Sequence, residues 1–307
     1  MELSYDESIK QLRDWRNSAM RKSKETIEIG QRVICKTSTQ FFNDEIWLIC
    51  EQVCMAALDT SHFDLADQCI GKLKKNFPSS IRVAKLDAMR LEASGDLDEA
   101  LDVYNNLIEK DPTNSGVRKR KVALLKTKGD YAAAIKELCK YLQDFMVDHE
   151  AWFELSELYI KEMDYAKAAF CFEELILFNA FNHLYHQRYA EIKYTQGGQE
   201  CLEIARKHFS QAIKLSSNTN MRALNGLLYT CFALSSSATA GKQSAKSSNA
   251  RTHATWAAKM ILKKYEEANA SSENAASNSV VHRRKESPQF LASATLMLKQ
   301  LGAEENP

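Results

Sequence analysis

The stretch Gly95–Pro112, GDLDEALDVYNNLIEKDP, returns along the chain at a fixed interval of 34 residues. The next copy, GDYAAAIKELCKYLQDFM, begins at Gly129, and a third, MDYAKAAFCFEELILFNA, begins at Met163. Intervals of this length are typical of helix–turn–helix units that stack side by side, because one such hairpin cannot bury its apolar face alone. The recurrence therefore predicts an array of two-helix repeats.

A small residue marks the same place in each repeat, and a larger apolar residue follows four positions later. These small residues are Ala66, Ala100, Ala134 and Ala168, with Ala205 repeating the pattern after three extra residues. Residues at i, i+4 and i+7 share one helix face, so the alanines mark where two helices cross closely. We expect these alanines to be buried. We also expect a capping carboxylate at the start of each second helix, from Asp96, Asp130 and Asp164.

The segment AWFELSELY, residues 151–159, fits the pattern W-x2-L-G-x2-Y, with serine in place of glycine. Trp152 and Tyr159 occupy its aromatic positions, and Ala168 with Phe172 supplies the following A-x3-F. This repeat resembles the tetratricopeptide consensus. The predicted fold is therefore all-α, a tetratricopeptide-repeat solenoid of stacked antiparallel helix hairpins that form a right-handed superhelix.

The predicted organisation has four parts. Residues 1–46 form N-terminal capping helices, at about 4–20 and 24–37, and residues 47–218 hold five tetratricopeptide-type repeats. Residues 219–268 form a degenerate sixth repeat, interrupted at 235–250 by a polar, low-complexity stretch that we expect to be a disordered loop. Residues 269–307 form a polar segment and a C-terminal helix near Gln289–Leu301.

Composition restricts the class of protein. The 307 residues carry a net charge of +1, which gives no general attraction to nucleic acid or anionic lipid. The eight cysteines lie mostly among apolar residues at helical spacing, which favours a reducing compartment without disulfides. The N-terminus lacks the apolar core of a signal peptide, and no apolar stretch approaches the ~20 residues of a membrane span. We expect a soluble, cytosolic protein.

The sequence offers few candidates for chemistry. Cys50 with Cys54, and His183 with His186, share helix faces, but neither pair has a recognisable set of further metal ligands. Gly197-Gly198 lacks the context of a phosphate-binding loop. The basic run Arg118–Lys121 favours a solvated or acidic-partner-binding face over nucleic acid, since no aromatic platform accompanies it. We predict no catalytic residues, no metal and no cofactor.

A helical solenoid presents an extended concave face, lined mainly by the first helix of each repeat. The repeat register predicts a partner-binding groove made by Arg82, Lys85, Lys119, Lys126, Phe153, Glu157, Gln187 and Glu191. Basic residues lead the earlier repeats and acidic residues the later ones, and Phe153 is the aromatic residue expected to contribute most to binding. Co-chaperones that grip acidic peptide tails carry lysine and asparagine at the fifth and ninth positions of one repeat, a pair that no repeat here has.

Three stretches go beyond the generic repeat: Asp111–Lys121, Glu150–Ile176 and Asn182–Gly198. Together with the repeat register they resemble the family of subunit 2 of the endoplasmic-reticulum membrane protein complex, over roughly residues 40–270. The resemblance implies a non-catalytic cytosolic scaffold, peripheral at the endoplasmic-reticulum membrane. It also implies that the scaffold holds cytosolic and membrane-embedded subunits of a complex that inserts tail-anchored and multipass proteins without nucleotide hydrolysis.

Two other functions remain open at this stage. The first is a free tetratricopeptide adaptor or co-chaperone that binds peptide tails transiently, and the second is an RNA-binding helical repeat. A scaffold subunit is expected to sediment with membranes in a large assembly, whereas a free adaptor is not. A salt titration with RNA tests the RNA-binding function, because contacts with phosphates weaken as salt rises.

Overall fold

The computed structural model describes residues 4–36, 45–237, 245–276 and 296. Within these residues the chain forms fourteen α-helices and no β-strand, as the 34-residue register predicts. The chain divides into two compact units, Met1–Asp144 and Phe145–Pro307.

The first unit contains eight helices. They are α1 (Tyr5–Asn17), α2 (Ser23–Lys36), α3 (Glu45–Asp59), α4 (Phe63–Asn76), α5 (Ile81–Ser94), α6 (Leu97–Lys110), α7 (Ser115–Lys128) and α8 (Tyr131–Asp144). Helix α3 packs on α4, α5 on α6 and α7 on α8, while α2 and α5 also flank α3. Each hairpin therefore buries its apolar face against both its own partner and a neighbour.

The described residues of the second unit form six helices. They are α9 (His149–Lys161), α10 (Tyr165–Phe178), α11 (His183–Gln196), α12 (Gln199–Leu215), α13 (Met221–Ser237) and α14 (Ala245–Ala276). The hairpins are α9 with α10, α11 with α12 and α13 with α14.

The five register alanines are fully buried, at Ala66, Ala100, Ala134, Ala168 and Ala205. The residue four positions later is buried as well in each repeat, for example Tyr104, Leu138 and Phe172. The small side chain lets the two helices of a hairpin approach, and the large one fills the space beside it. The register therefore describes the core of each repeat.

The turn between the two helices of a repeat follows one design. The amides of Asp96, Asp130 and Asp164 donate to the carbonyls of Leu91, Leu125 and Tyr159. The residue before each aspartate has a positive φ, and it is Gly95, Gly129 and Met163 in turn. Asp130 accepts from the Ala133 amide and Asp164 from the Lys167 amide. Asp96 makes no such cap, contrary to prediction, because its carboxylate accepts from the Ser94 hydroxyl instead.

The predicted loop at 235–250 is largely wrong where the structure describes it. Residues Ser235–Ser237 belong to α13 and Ala245–Ala250 to α14. Helix α14 also runs as far as Ala276, beyond residue 268, where the sixth repeat was predicted to end. The polar composition conceals an alanine face that packs on α13, formed by Ala250, Ala254, Ala257, Ala258 and Ile261. The predicted C-terminal helix lies outside the described residues, except for Leu296.

Candidate functional site

The first unit contains a cleft of about 580 Å³. Its walls come from α3, α5 and the start of α7, and the residues around the end of α1 close one side. Arg82 and Lys85 of the predicted groove line the cleft. They are the second and fifth residues of α5, the first helix of its hairpin, and their side chains project from that helix into the cleft. Lys119 and Lys126 are not part of its lining.

The lining of the cleft combines cations with flexible apolar side chains. Six basic side chains, Arg16, Arg21, Lys22, Arg82, Lys85 and Arg120, face two acidic ones, Glu51 and Asp59. Met20, Met55 and Met89 supply thioethers, which adapt to irregular partner surfaces. The excess of positive charge suits a segment that carries carboxylates and apolar side chains.

Most arginines of the cleft already have carboxylate partners. Arg82 pairs with Glu51 at 2.5 Å, and Arg21 pairs with Asp59. The Arg21 guanidinium, by its hydrogen bond and its charge, lowers the pKa of Asp59. Within the described residues, Lys85 has no carboxylate partner, so its charge remains available to a ligand.

Lys119 and Lys126 lie elsewhere in the first unit. The Lys119 ammonium lies 5.9 Å from the ring centroid of Tyr141, which is buried in α8. Lys126 is half-buried in the last turn of α7. The structure therefore brings together two of the four predicted basic residues.

In the second unit, the predicted acidic residues form an ion-pair network with two arginines. Glu157 pairs with Arg188 at 2.5 Å, and Arg188 pairs with Glu191 at 3.1 Å. Glu191 also accepts two hydrogen bonds from Arg222, at 2.5 and 3.0 Å. Burial lowers the pKa of Arg188. Hydrogen bonding to Glu191 and the charge of Glu157 raise the pKa by more than burial lowers it, so it lies above the ordinary value for arginine.

Gln187 and Phe153 take different places beside this network. Gln187 is buried, donates to Glu191 at 2.9 Å and accepts from Asn220 at 2.7 Å. Phe153 is 40% exposed and packs edge-on against the buried ring of Phe172, with 5.8 Å between centroids. A ring held on one side and open on the other can receive an apolar side chain from a partner.

Arg188 and Arg222 are the residues that sequence reasoning missed. Three ion pairs join a glutamate to an arginine 31 residues later: Glu51 to Arg82, Glu157 to Arg188, and Glu191 to Arg222. Since one repeat is 34 residues long, a separation of 31 residues places the arginine in the first helix of the next hairpin. There it lies about one helical turn before the residue equivalent to the glutamate. Glutamate followed by arginine after 31 residues was the signal that could have identified these pairs.

Buried His186 and half-buried His208 form a pair in the second unit. Their Nδ1 atoms lie 3.0 Å apart, and His186 Nε2 lies 2.9 Å from the Ala180 carbonyl oxygen. A carbonyl oxygen can only accept, so neutral His186 donates through Nε2 and accepts from His208 through Nδ1. Burial, together with His186, lowers the pKa of His208 to about 4.

The described cysteines lie in apolar surroundings. Cys50, Cys54, Cys69, Cys171 and Cys231 are buried. Burial raises the pKa of Cys54 and Cys69 to about 12, which keeps them protonated. Among the described residues, no three or more histidine, cysteine or acidic side chains are grouped to hold a metal ion. Nor does any described helix combine the length and apolarity of a membrane span.

Comparison with known proteins gives a consistent result. The family described as "EMC2 TPR-like repeat domain" matches residues 65–214. The chain is 47% identical over 266 residues to ER membrane protein complex subunit 2 of Xenopus tropicalis, covering 85% of this chain and 88% of the relative. It is 35% identical to the protein of that name in Dictyostelium discoideum, covering 70% of this chain and 67% of the relative.

A solved structure supports the fold. The C-terminal part of a TPR repeat-containing protein from Cytophaga hutchinsonii superposes with a TM-score of 0.59. The match covers 83% of this chain and 94% of that protein, at 15% sequence identity. This similarity bears on the fold alone and agrees with stacked tetratricopeptide hairpins.

Proposed function

Because the chain belongs to the family of ER membrane protein complex subunit 2, we propose that it is a non-catalytic scaffold subunit of that complex. The observation that carries the proposal is the identity of 46–47% to frog relatives over 85–86% of the chain. A subunit built only from helical hairpins acts by holding other subunits, since its stacked repeats expose a large surface at fixed spacing.

The location and role follow from the same premise. We place the chain at the cytosolic face of the endoplasmic-reticulum membrane, attached through other subunits of the complex. In this position it supports the insertion of tail-anchored and multipass membrane proteins without nucleotide hydrolysis, by keeping the inserting subunits in position. The partners are both cytosolic and membrane-embedded subunits, and no nucleic acid takes part.

The binding surfaces proposed for these partners are the predicted groove residues of each unit. In the first unit, Arg82 and Lys85 line the basic, methionine-containing cleft, and Lys119 and Lys126 of α7 lie outside its lining. In the second unit, Phe153 offers a half-open ring, and Glu157, Gln187 and Glu191 lie in a network of hydrogen bonds with arginines. Lys85 and Phe153 are the residues whose loss should weaken binding most.

Co-purification from detergent-solubilised membranes tests membership of the complex. A tagged chain is expected to recover the other subunits and to sediment as one large assembly with them. Recovery of the chain as a free monomer, or with heat-shock proteins alone, would contradict the proposal and favour the adaptor function.

Two substitutions test the binding surfaces. Lys85→Glu and Phe153→Ala should each reduce partner recovery, and truncating an aromatic anchor costs about 2 kcal/mol, or roughly 30-fold in affinity. Lys136→Glu is the control for charge, since Lys136 is exposed on α8, and Tyr194→Ala is the control for truncation, since Tyr194 is exposed to the same extent as Phe153. Equal recovery by all four folded variants would show that the groove is not the interface.

A further inference from the structure

The second unit exposes six large apolar side chains near one end of its first hairpin and the start of the next. We name this surface the apolar edge: Met146, Val147, Leu177, Phe178, Phe181 and Leu184. Phe181 is 83% exposed, Leu177 79% and Val147 70%. None of the six belongs to the proposed groove. A cluster of this kind on a soluble fold marks an interaction surface, whereas single exposed apolar residues do not.

The contacts of α9 and α10 bring these residues to one place. The ring of His149, at the start of α9, packs 4.6 Å from the ring of Phe178, at the end of α10. The indole N–H of Trp152 donates to the Met146 carbonyl at 2.8 Å, which fixes the segment before α9. The turn after α10 is closed by a hydrogen bond from the amide of Asn182, the N-cap of α11, to the carbonyl of Asn179, the C-cap of α10.

The exposed apolar residues are not needed to form the turns. Residues 79, 113, 147 and 181 occupy the same turn position in four successive repeats, as Ser79, Thr113, Val147 and Phe181. In each turn the amide of the next residue donates to a carbonyl three positions back, at 3.2–3.3 Å. The amides of Thr113 and Phe181 even donate to equivalent side chains, Asp111 and Asn179. The turns with serine and threonine therefore form the same backbone hydrogen bond as the turns with valine and phenylalanine. Folding does not require valine or phenylalanine at this position.

The charges around the edge indicate what covers it. Residues 145–152 and 173–187 contain four carboxylates, Asp148, Glu150, Glu173 and Glu174, and no lysine or arginine. Of these carboxylates, Glu173 is paired with Lys193, with 4.0 Å between the Lys193 Nζ and the Glu173 carboxylate. An anionic membrane surface would repel these carboxylates, and a second copy of the edge would bring like charges together. A segment with both apolar and basic side chains is complementary to the edge in both respects.

We propose that the apolar edge is a second docking surface, separate from the groove, for an amphipathic segment of another protein that carries lysine or arginine beside its apolar face. Such a segment would cover the exposed rings and place its cations near Glu150 and Glu174. Aromatic side chains with little conformational freedom are effective anchors for an interaction of this kind.

The test uses the full chain and a synthetic helical peptide of about 18 residues, with leucine on one face and lysine on the other. The double variant Val147→Thr/Phe181→Thr should bind the peptide about tenfold more weakly than the wild type, measured by fluorescence anisotropy. It introduces only threonine, which an earlier repeat already has at this position as Thr113, so its fold should be intact. Leu177→Gln, on the exposed face of α10, provides an independent second variant with the same expected direction.

Thr113→Phe is the matched control, since it places an exposed ring in the equivalent turn of the first unit without the rest of the apolar edge. It should bind the peptide as the wild type does, and a peptide with glutamate in place of lysine should bind at least about tenfold more weakly. Equal peptide binding by the wild type and both edge variants would overturn the proposal. So would edge-dependent binding to vesicles of phosphatidylcholine and phosphatidylserine, or edge-dependent self-association in sedimentation.

Discussion

Met163 occupies a backbone conformation that glycine adopts in the two preceding repeats. Its φ is 58°, and the equivalent Gly95 and Gly129 have φ of 94° and 80°. Two backbone hydrogen bonds recur in all three turns: the residue with positive φ donates to the carbonyl three positions back, and the following aspartate donates to the carbonyl five positions back. The helix therefore ends in this way whether glycine or methionine is present. A side chain in the left-handed region is strained by contact between Cβ and the backbone, whereas glycine is not.

We expect Met163→Gly to raise the free energy of unfolding by about 0.5–1 kcal/mol, because it relieves this strain. The Met163 side chain is 74% exposed, so little packing is lost. Gly129→Met makes the reverse exchange in the same register and should lower stability by a similar amount. Urea denaturation measures both, and a shift of the two variants in the same direction would contradict the argument.

His208 makes the stability of the second unit depend on pH. Its pKa is lowered to about 4 in the folded chain, whereas an unfolded histidine titrates near 6.5. As pH falls below 6.5 the unfolded chain takes up a proton that the folded chain does not, so stability falls between pH 6.5 and 4. His208 is half-buried, and with allowance for screening by water we expect a loss on the order of 1 kcal/mol between pH 7.5 and 5.

His208→Asn identifies the origin of this loss. The asparagine amide can donate to His186 Nδ1 as the imidazole does, but it does not titrate. Unfolding measured at pH 7.5 and 5 should show a smaller loss of stability in the variant than in the wild type. Identical losses in both proteins would assign the pH dependence to other groups.

At the scale of the helices, close approach depends on glycine at particular crossings. A Cβ added to Gly226 in α13 would lie 2.4 Å from the ring of Phe209 in α12, and Phe209 is buried. A Cβ added to Gly71 in α4 would meet no atom within 4 Å. The two glycines thus have opposite consequences for substitution, although both lie inside helices.

We expect Gly226→Ala to lower the free energy of unfolding by about 1–3 kcal/mol, because the buried ring must shift in a packed core. Gly71→Ala should raise it by about 0.5–1 kcal/mol through the higher helix propensity of alanine. Thermal melts monitored by circular dichroism give both values. A stabilised Gly226→Ala variant would mean that α12 and α13 are less closely packed than the structure indicates.

The helices also show what the sequence predicts well and what it does not. The repeats from α3 to α12 follow from the register of alanines, because packing in each hairpin imposes the same spacing. The end of α13 and the start of α14 were harder to predict, since Ser235 and Ala250 lie in stretches whose polar composition resembles that of a loop. Their helical state depends on the alanine face of α14, which is recognised only when α14 is seen packed on α13.

At the scale of the whole molecule, the buried apolar side chains of the described residues fall into separate clusters. One buried cluster surrounds α2–α4 and another surrounds α12–α14, each within its own unit. In repeat arrays stability is approximately a sum over neighbouring repeats, so damage in one place is felt most by adjacent helices. The register predicted some of the residues in these clusters, namely Ala66 and Ile70 in the first and Ala205 and Phe209 in the second. The register did not predict the ion pairs that Arg188 and Arg222 form with glutamates, because these pairs depend on how successive hairpins are offset.

Leu224→Ala tests this local character. Leu224 is fully buried in α13, and its truncation should cost about 2–5 kcal/mol. Hydrogen exchange should accelerate in α12–α14 and remain unchanged in α3–α5, with the reverse result for Ile49→Ala in α3. Uniform acceleration along the chain in both variants would show that the array unfolds as one cooperative body.

The shared turn of residues 79, 113, 147 and 181 has a consequence for how such a chain evolves. Since the backbone hydrogen bonds and caps hold the turn, mutation at this position is not constrained by the need to fold. Serine, threonine, valine and phenylalanine have each been accepted there within one molecule. Selection can therefore add or remove a contact with a partner one repeat at a time, while the duplicated hairpins keep the same architecture.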